Sequence, residues 1–325
     1  MTETRFLTSD DVTGLATPAA YVDRVADGYR QRGAGAPAEP RTALFGDDPA
    51  GMLTSYSAIL PEDGYMGGYS YSAGFGAGDA WFITPLFDAD SGEPLALLDG
   101  ASMNPFKTGA TGAVAVDALA RGDAETVGLI GSGAQARGQL RATATVRELT
   151  AVDVYSPTQA NREAFADEMT ETLDADVTAV ESSAAAVADA DIVITATTAG
   201  EPVFDGDELA PGTHVTAMGQ YNPSKRELDT TTIERSTYVP DLRDRATQDA
   251  GALLHAIETG VVTESHIHAE LGDIVAGNAA GRTSDDEITV FDSGGTAIET
   301  VAAAGMLYER AREQGLGSTI EFAPA

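Results

Sequence analysis

The sequence predicts an α/β protein centred on a doubly wound parallel sheet. Three observations carry that expectation. Thr126-Val-Gly-Leu-Ile runs straight into Gly131-Ser-Gly133-Ala-Gln-Ala136 and then into a helical pattern. Val152-Asp-Val-Tyr155 begins a second strand about 25 residues after the first, the spacing of a βαβ unit. Further apolar runs at 176–180, 191–196, 213–218 and 237–239 are mostly separated by helical or polar segments. Within the glycine motif, Gly131 permits a tight turn and Gly133 lets backbone N–H groups approach a pyrophosphate. Ala136 is small enough for the helix to pack close on the strand. Phosphates would lie at the helix N-terminus, where free N–H groups and the dipole favour anions. A glycine-rich turn of some other α/β domain is the competing reading. The order strand, turn, helix, strand argues against it and predicts a Rossmann dinucleotide-binding domain.

The elements follow in order. Thr17-Pro18 reads as an N-cap and first helical position, with Tyr21, Val22, Val25 and Tyr29 at helical spacing. Residues 33–40 read as a loop, and 52–98 as short strands. Asp88-Ala-Asp-Ser-Gly92 lacks the remaining ligands of a calcium loop and reads as a hairpin turn. A small-residue helix spans 108–121 and leads into the nucleotide domain. Ile288-Thr-Val-Phe291 is a late strand. Ile298, Val301, Ala302, Gly305 and Tyr308 then follow helical spacing to a stop at Gly315-Leu-Gly317. This last helix comes after the sheet is complete and is expected to return to the first domain.

Length and composition bound the rest. With 325 residues and 43% hydrophobic content, two domains of ordinary size are expected. Cysteine is absent from the sequence, which excludes disulfides, thiolate metal sites and a cysteine nucleophile. The N-terminus lacks a signal-peptide layout and no apolar run reaches a membrane span, so a soluble, cytoplasmic protein is expected. The chain carries 19 Lys+Arg against 51 Asp+Glu, a formal charge of −32 spread along its whole length. Such a surface repels nucleic acid and anionic membranes, and suggests adaptation to high salt. Only two lysines occur, Lys107 and Lys225. In a chain nearly cleared of lysine, a retained one suggests a task; chance survival fits Lys225, beside Arg226, better than Lys107.

Several further segments are distinctive: Ala190-Asp-Ile-Val-Ile-Thr-Ala-Thr197, Pro211-Gly-Thr-His-Val-Thr-Ala-Met-Gly219, Arg226-Glu-Leu-Asp229, Glu270-Leu-Gly272, Gly281-Arg282 and Thr289-Val-Phe-Asp-Ser-Gly294. Together with the glycine turn, they resemble the ornithine cyclodeaminase/mu-crystallin family over nearly the full length. The resemblance implies a Rossmann domain at 121–295. It also implies a discontinuous α+β domain, 1–120 plus 296–325, that serves the substrate and forms a homodimer. It implies hydride transfer at a carbon bearing nitrogen and carboxylate, with a small anionic amino or imino acid as substrate.

Carried over position by position, the resemblance puts a carboxylate-binding arginine at Arg41. The family's second cationic position falls at Lys107 in Lys107-Thr-Gly-Ala110, where charge is kept but the bidentate fork is not. A family lysine on the substrate side falls near Tyr69, and the cyclodeaminases' catalytic aspartate falls at Tyr221. Losing both disfavours ornithine cyclisation, because an aspartate accepts a proton near neutral pH whereas an ordinary tyrosine mainly donates one. Lys107 and Tyr221 are the expected catalytic residues. Arg41, Tyr69, Lys107 and Gly294 are the expected substrate contacts. Either tyrosine could instead only pack, with solvent handling protons.

For the cofactor, Gly131, Gly133, Ala134, Gln135, Thr197, Lys225 and Ser293 are the expected contacts. The acid that would bind NAD ribose hydroxyls is absent after the second strand. Ser156, Thr158 and Arg162 stand there instead and favour NADP, with NAD still open through Asn161 or a backbone group. His266-Ile-His268 has the spacing of a metal pair on a strand, but no third ligand is specified, and structural histidines with no bound metal are expected. The leading reading is an NAD(P)-dependent imine or ketimine reductase or amino-acid dehydrogenase. The alternative is a nucleotide-regulated ligand-binding protein of the mu-crystallin kind.

Overall fold

The computed structural model describes residues 2–76 and 80–324. The chain divides into two compact units, Met1–Lys107 with Thr296–Ala325, and Thr108–Gly295. One divide falls after the first turn of helix Asn104–Leu119 and the other falls just before the last helix.

The discontinuous unit holds strands β1 (Thr2–Leu7), β2 (Thr42–Asp47), β3 (Ala50–Leu60), β4 (Tyr65–Gly74), β5 (Ala80–Asp88) and β6 (Pro94–Asp99). The central unit holds β7 (Thr126–Ile130), β8 (Ala151–Tyr155), β9 (Asp176–Ala179), β10 (Ile192–Thr195), β11 (His214–Ala217), β12 (Ser236–Pro240) and β13 (Ile288–Asp292). Strand β14 (Ser318–Phe322) returns to the first sheet.

In the discontinuous unit the sheet order is β14-β1-β6-β5-β4-β3-β2. Only β1 and β6 run parallel; the other neighbours are antiparallel. Helix Pro18–Gly33 starts at Thr17, whose side chain accepts the Ala20 N–H. Helix Ala297–Gln314 packs on it and on strands β3, β4 and β5, so the end of the chain completes this core. The two helices approach closely at Gly28, where a Cβ would lie 3.2 Å from Ile298 Cγ2. Gly315, in the left-handed region at φ 68°, ends the last helix at the expected place.

The central unit's sheet is entirely parallel, ordered β12-β13-β11-β10-β7-β8-β9. Its strands bury both faces. Ile192 and Ile194 pack into one hydrophobic cluster while Val193 packs into the other. That is why the central strands read as continuous apolar runs rather than alternating ones. The strand order reverses between β7 and its neighbours β8 and β10. Such a reversal opens a crevice at the strands' carboxyl ends.

Candidate active site

The glycine turn lies at that reversal. The Gly131 N–H donates to Tyr155 O at 2.8 Å, and the Ala196 N–H donates to Ile130 O at 2.9 Å. Gly131 has φ 125°, and a Cβ there would stand 2.4 Å from Ala196 O, so only glycine fits. Gly133 is different. It is the N-cap of helix Ala134–Thr143 at φ −84°, and a Cβ built on it meets nothing within 4 Å. No side chain caps this helix, so the N–H groups of Ala134, Gln135 and Ala136 are left for an anion. Open space and uncapped donors fit a pyrophosphate. Arg137, which sequence reading missed, braces the turn by donating to the carbonyls of Ser132 and Gly133 while pairing with Glu168.

The residues expected beside the ribose come together at the end of β8. Ser132 Oγ lies 3.0 Å from Ser156 Oγ, tying the turn to this strand. Arg162 Nη1 donates to Ser156 O at 3.1 Å, and its guanidinium lies 5.8 Å from the Tyr155 ring centre. Thr158 is exposed and caps helix Gln159–Thr172 by position.

The ends of β10 and β11 are joined by Glu227, a buried carboxylate. It accepts the Thr197 N–H at 2.7 Å, the Gly219 N–H at 2.6 Å and the Thr195 hydroxyl at 3.1 Å. Burial pushes its pKa above the ordinary glutamate value, and these hydrogen bonds offset that only in part. The loop from Gly219 to Glu227 carries Tyr221, 40% exposed, and Lys225, also exposed. Gln220 Nε2 donates to Thr197 O at 3.3 Å, so the expected contacts Thr197, Tyr221 and Lys225 share one stretch of this sheet edge.

Ser293 and Gly294 follow β13 and are held from beneath. Asp241 Oδ2 accepts the N–H groups of Gly294 and Gly295 at 2.9 and 3.0 Å and the Ser293 hydroxyl at 3.4 Å. Asp241 Oδ1 accepts Arg245 Nε at 2.7 Å, and Arg245 also pairs with Asp292 at 2.7 Å. A Cβ on Gly294 would stand 2.8 Å from Arg245 Cδ. The i, i+4 pair of Asp241 and Arg245 is visible in the sequence, but its complete burial is not. His266 Nε2 lies 2.7 Å from Ile233 O and His268 Nε2 lies 2.8 Å from Ala280 O. His266 ends a short 3-10 turn, and Ile267 between the two histidines makes an isolated parallel bridge with Tyr238.

The expected substrate residues of the discontinuous unit form a second cluster. Arg41 is buried, with its guanidinium 5.8 Å from the Tyr56 ring centre. The Tyr56 and Tyr69 rings lie 5.7 Å apart edge to face. Lys107 Nζ sits 4.8 Å above the Tyr69 ring and 3.4 Å from Glu299 Oε1. The Tyr69 hydroxyl donates to Gly100 O at 3.1 Å, and burial pushes its phenol well above the ordinary tyrosine pKa, so it stays neutral. Glu299 escaped sequence reading. Its capping-box pattern Thr296-x-x-Glu299 is legible, but its pairing with Lys107, 192 residues away, is not.

The chain is similar to several known proteins. Over 241 residues, 74% of either chain, the protein is 41% identical to a Delta(1)-pyrroline-2-carboxylate reductase of Bacillus cereus. The structure is similar to Delta(1)-pyrroline-2-carboxylate reductase of Thermococcus litoralis, solved with NADH and L-proline. The TM-score is 0.93 at 33% identity, over 98% of this chain and 100% of that one. It is also similar to an archaeal alanine dehydrogenase dimer with bound NAD, with a TM-score of 0.92 at 30% identity over 99% and 100%. The description ornithine cyclodeaminase/mu-crystallin family matches residues 2–315, and the chain belongs to that family.

Proposed function

We propose that the protein is an NAD(P)-dependent oxidoreductase that transfers hydride at the C–N centre of a small imino or amino acid, as an imine or ketimine reductase or an amino-acid dehydrogenase. The observation that carries this is the buried pair of cations, Arg41 and Lys107, beside a neutral Tyr69. Two cations suit a substrate carboxylate. A neutral tyrosine cannot replace a lysine in cyclodeamination, and Tyr221 cannot replace an aspartate as base. The pyrroline-2-carboxylate reductases and the alanine dehydrogenase among its relatives support the same reading.

In this reading the discontinuous unit recognises the substrate and the central unit binds the cofactor. Arg41 and Lys107 hold the carboxylate by charge-assisted hydrogen bonds. Reduced nicotinamide, when bound, supplies the hydride. The turn at Gly131 and Gly133, with Ala134 and Gln135, holds the pyrophosphate. Thr197, Lys225, Ser293 and Gly294 line the remaining cofactor and substrate edge. Tyr221 donates a proton to the substrate nitrogen, and its exposure lets solvent restore that proton. Ser156, Thr158 and Arg162 favour a 2′-phosphate and hence NADP, because no carboxylate stands there to bind ribose hydroxyls and repel the phosphate.

Assembly as a homodimer, function in high salt and a cytoplasmic location belong to the same proposal. Among the described residues, no helix is long and apolar enough to cross a membrane. The test is a screen in molar salt of cyclic imines, ketimines, and 2-oxo acids with ammonia, following NADPH and NADH absorbance separately. Turnover of a carboxylated imine is expected, faster with NADPH. No oxidation of either cofactor with any carboxylated imine would overturn the reading.

A further inference from the structure

Glu227 has no role in the proposed reaction, yet it sits where two strands of the central unit end. β10 and β11 run parallel and in register, and their ladder closes with the Met218 N–H donating to Thr195 O at 3.1 Å. Beyond that bond, the Thr197 and Gly219 N–H groups turn to the Glu227 carboxylate. Thr197 donates to Oε1 at 2.7 Å and Gly219 to Oε2 at 2.6 Å. The Thr195 hydroxyl donates to Oε2 at 3.1 Å. One side chain thus takes the place of a ladder bond across the two strand ends. Each N–H meets its own oxygen, an arrangement that an amide, with one oxygen, cannot repeat. Gly219 permits the approach, because a Cβ there would stand 2.3 Å from both Glu227 Oε1 and Thr197 O.

Glu227 is itself a fixed point. It is 3% exposed, and its carbonyl accepts the Val203 N–H at 2.9 Å. Arg226 before it pairs with Glu201 at 3.0 Å, and Asp229 after it caps helix Thr230–Arg235. The loop it grips carries Tyr221 and borders a cavity lined by Gln220, Lys225, Glu227 and Gly251, so packing alone does not fix it. The loop's far end rests on Gly251, where a Cβ would stand 2.0 Å from Lys225 O and 2.7 Å from Asn222 O. Its near end is held by the Gly219 N–H and by Gln220 Nε2, whose bond to Thr197 O is longer, at 3.3 Å. Tyr221 lies between these ends, so a shift at Gly219 moves the phenol.

Building on the oxidoreductase reading, we propose that Glu227 is a positioning residue for the reaction. It locks the ends of β10 and β11 together and so fixes the Tyr221 hydroxyl relative to the cofactor edge at Thr197.

The test uses the full chain in molar salt. Wild type, Glu227→Gln, Thr195→Val, Tyr221→Phe and the double variant Glu227→Gln/Tyr221→Phe are compared. Hydrogen exchange at Thr197 and across 219–227 reads the lock, calorimetry reads NADPH affinity, and kcat and KM are measured on the best imine. Glu227→Gln sets an amide N–H against one backbone N–H and should release one strand end. Exchange there should rise and NADPH affinity fall, each by about tenfold, at unchanged circular dichroism. kcat should fall about tenfold and KM should change less, because a misplaced donor costs turnover more than binding. In the Tyr221→Phe background the same change should cost about twofold or less in kcat, since the hydroxyl being positioned is already gone. Thr195→Val keeps the carboxylate and loses one donor, so it should shift exchange and kcat the same way by less; it decides the matter if Glu227→Gln does not fold. Wild-type exchange, affinity and kcat in folded Glu227→Gln, or in Thr195→Val where Glu227→Gln is unfolded, overturn the proposal. So does an equal loss of kcat in both Tyr221 backgrounds, which would mark Glu227 as a support of the fold only. Wild type that turns over no imine, while Glu227→Gln still shows raised exchange and weakened NADPH binding, would sink the oxidoreductase reading and leave the lock at Thr197 standing.

Discussion

Lys107 shows what a single residue reveals in the sequence and what it hides. Its rarity in an acidic chain and its place in Lys107-Thr-Gly-Ala110 already mark it out as a residue with a task. The fold adds that it is 2% exposed and held between a carboxylate and an aromatic face. Those partners come from β4 and the last helix, and no local pattern links them. Arg245 is the reverse case. No sequence motif singles it out, yet it lies fully buried among Asp241, Asp249 and Asp292 beneath the Ser293-Gly294 turn. If Lys107 binds the substrate carboxylate, Lys107→Ala leaves that group partly unpaired, a loss of roughly 2–4 kcal/mol in kcat/KM. Lys107→Arg should recover much of this. Tyr221→Phe removes only a hydroxyl and should lower kcat about 10²-fold if it donates the proton. Wild-type kcat/KM for both Lys107→Ala and Tyr221→Phe on the best imine would remove this assignment of roles.

At the scale of elements, the parallel sheet was legible because its strands bury both faces and run apolar throughout. Strands β1, β2 and β14 were not. Thr2–Leu7 and Ser318–Phe322 are mostly polar and largely unburied, and their pairing joins the two ends of the chain. The glycine turn makes a sharp prediction. Gly133 has ordinary backbone angles and open space at its Cβ, so Gly133→Val should leave the fold intact while filling the space a pyrophosphate would take. Calorimetry should show loss of NAD(P) binding at an unchanged melting temperature; retained affinity would remove the nucleotide from this turn. Strand β11 carries a second prediction. His214 is fully buried between Thr289 and Thr216 hydroxyls, and burial, helped by Arg282 and Arg147, lowers its pKa to about 3. The fold thus favours neutral imidazole. Its contribution is complete above the unfolded value near 6.5, and it is lost progressively as pH falls toward about 3. That amounts to about 4–5 kcal/mol over the window. His214→Asn should be less stable at pH 7 but lose less stability on acidification. Parallel urea-unfolding curves for the two proteins from pH 7 to 4 would contradict this.

For the whole molecule, the deciding quantities are the charge and one sheet face. The arginines are largely committed to local partners such as Asp63, Glu62, Asp191 and Glu168, so the formal excess of −32 remains to repel itself. On the sheet of the discontinuous unit, Leu44 stands opposite Leu53, Leu53 opposite Ser72, and Ser72 opposite Trp81. Leu44, Leu53, Trp81 and Ile83 therefore share one face, and all are exposed, Trp81 at 65%. If the proposed homodimer forms, this exposed apolar face is its expected interface on so charged a chain. Bringing two such chains together requires screening, and the screening length falls from about 30 Å at 0.01 M salt to about 3 Å at 1 M. Light scattering in molar salt should give twice the chain mass. Trp81→Glu should give single chains of unchanged circular dichroism. On dialysis to millimolar salt the wild type should dissociate and melt at a markedly lower temperature, because repulsion within and between chains grows together. A melting temperature and mass unchanged between the two salts would show that the acidity has another origin. A Trp81→Glu protein still double in mass would place the interface elsewhere.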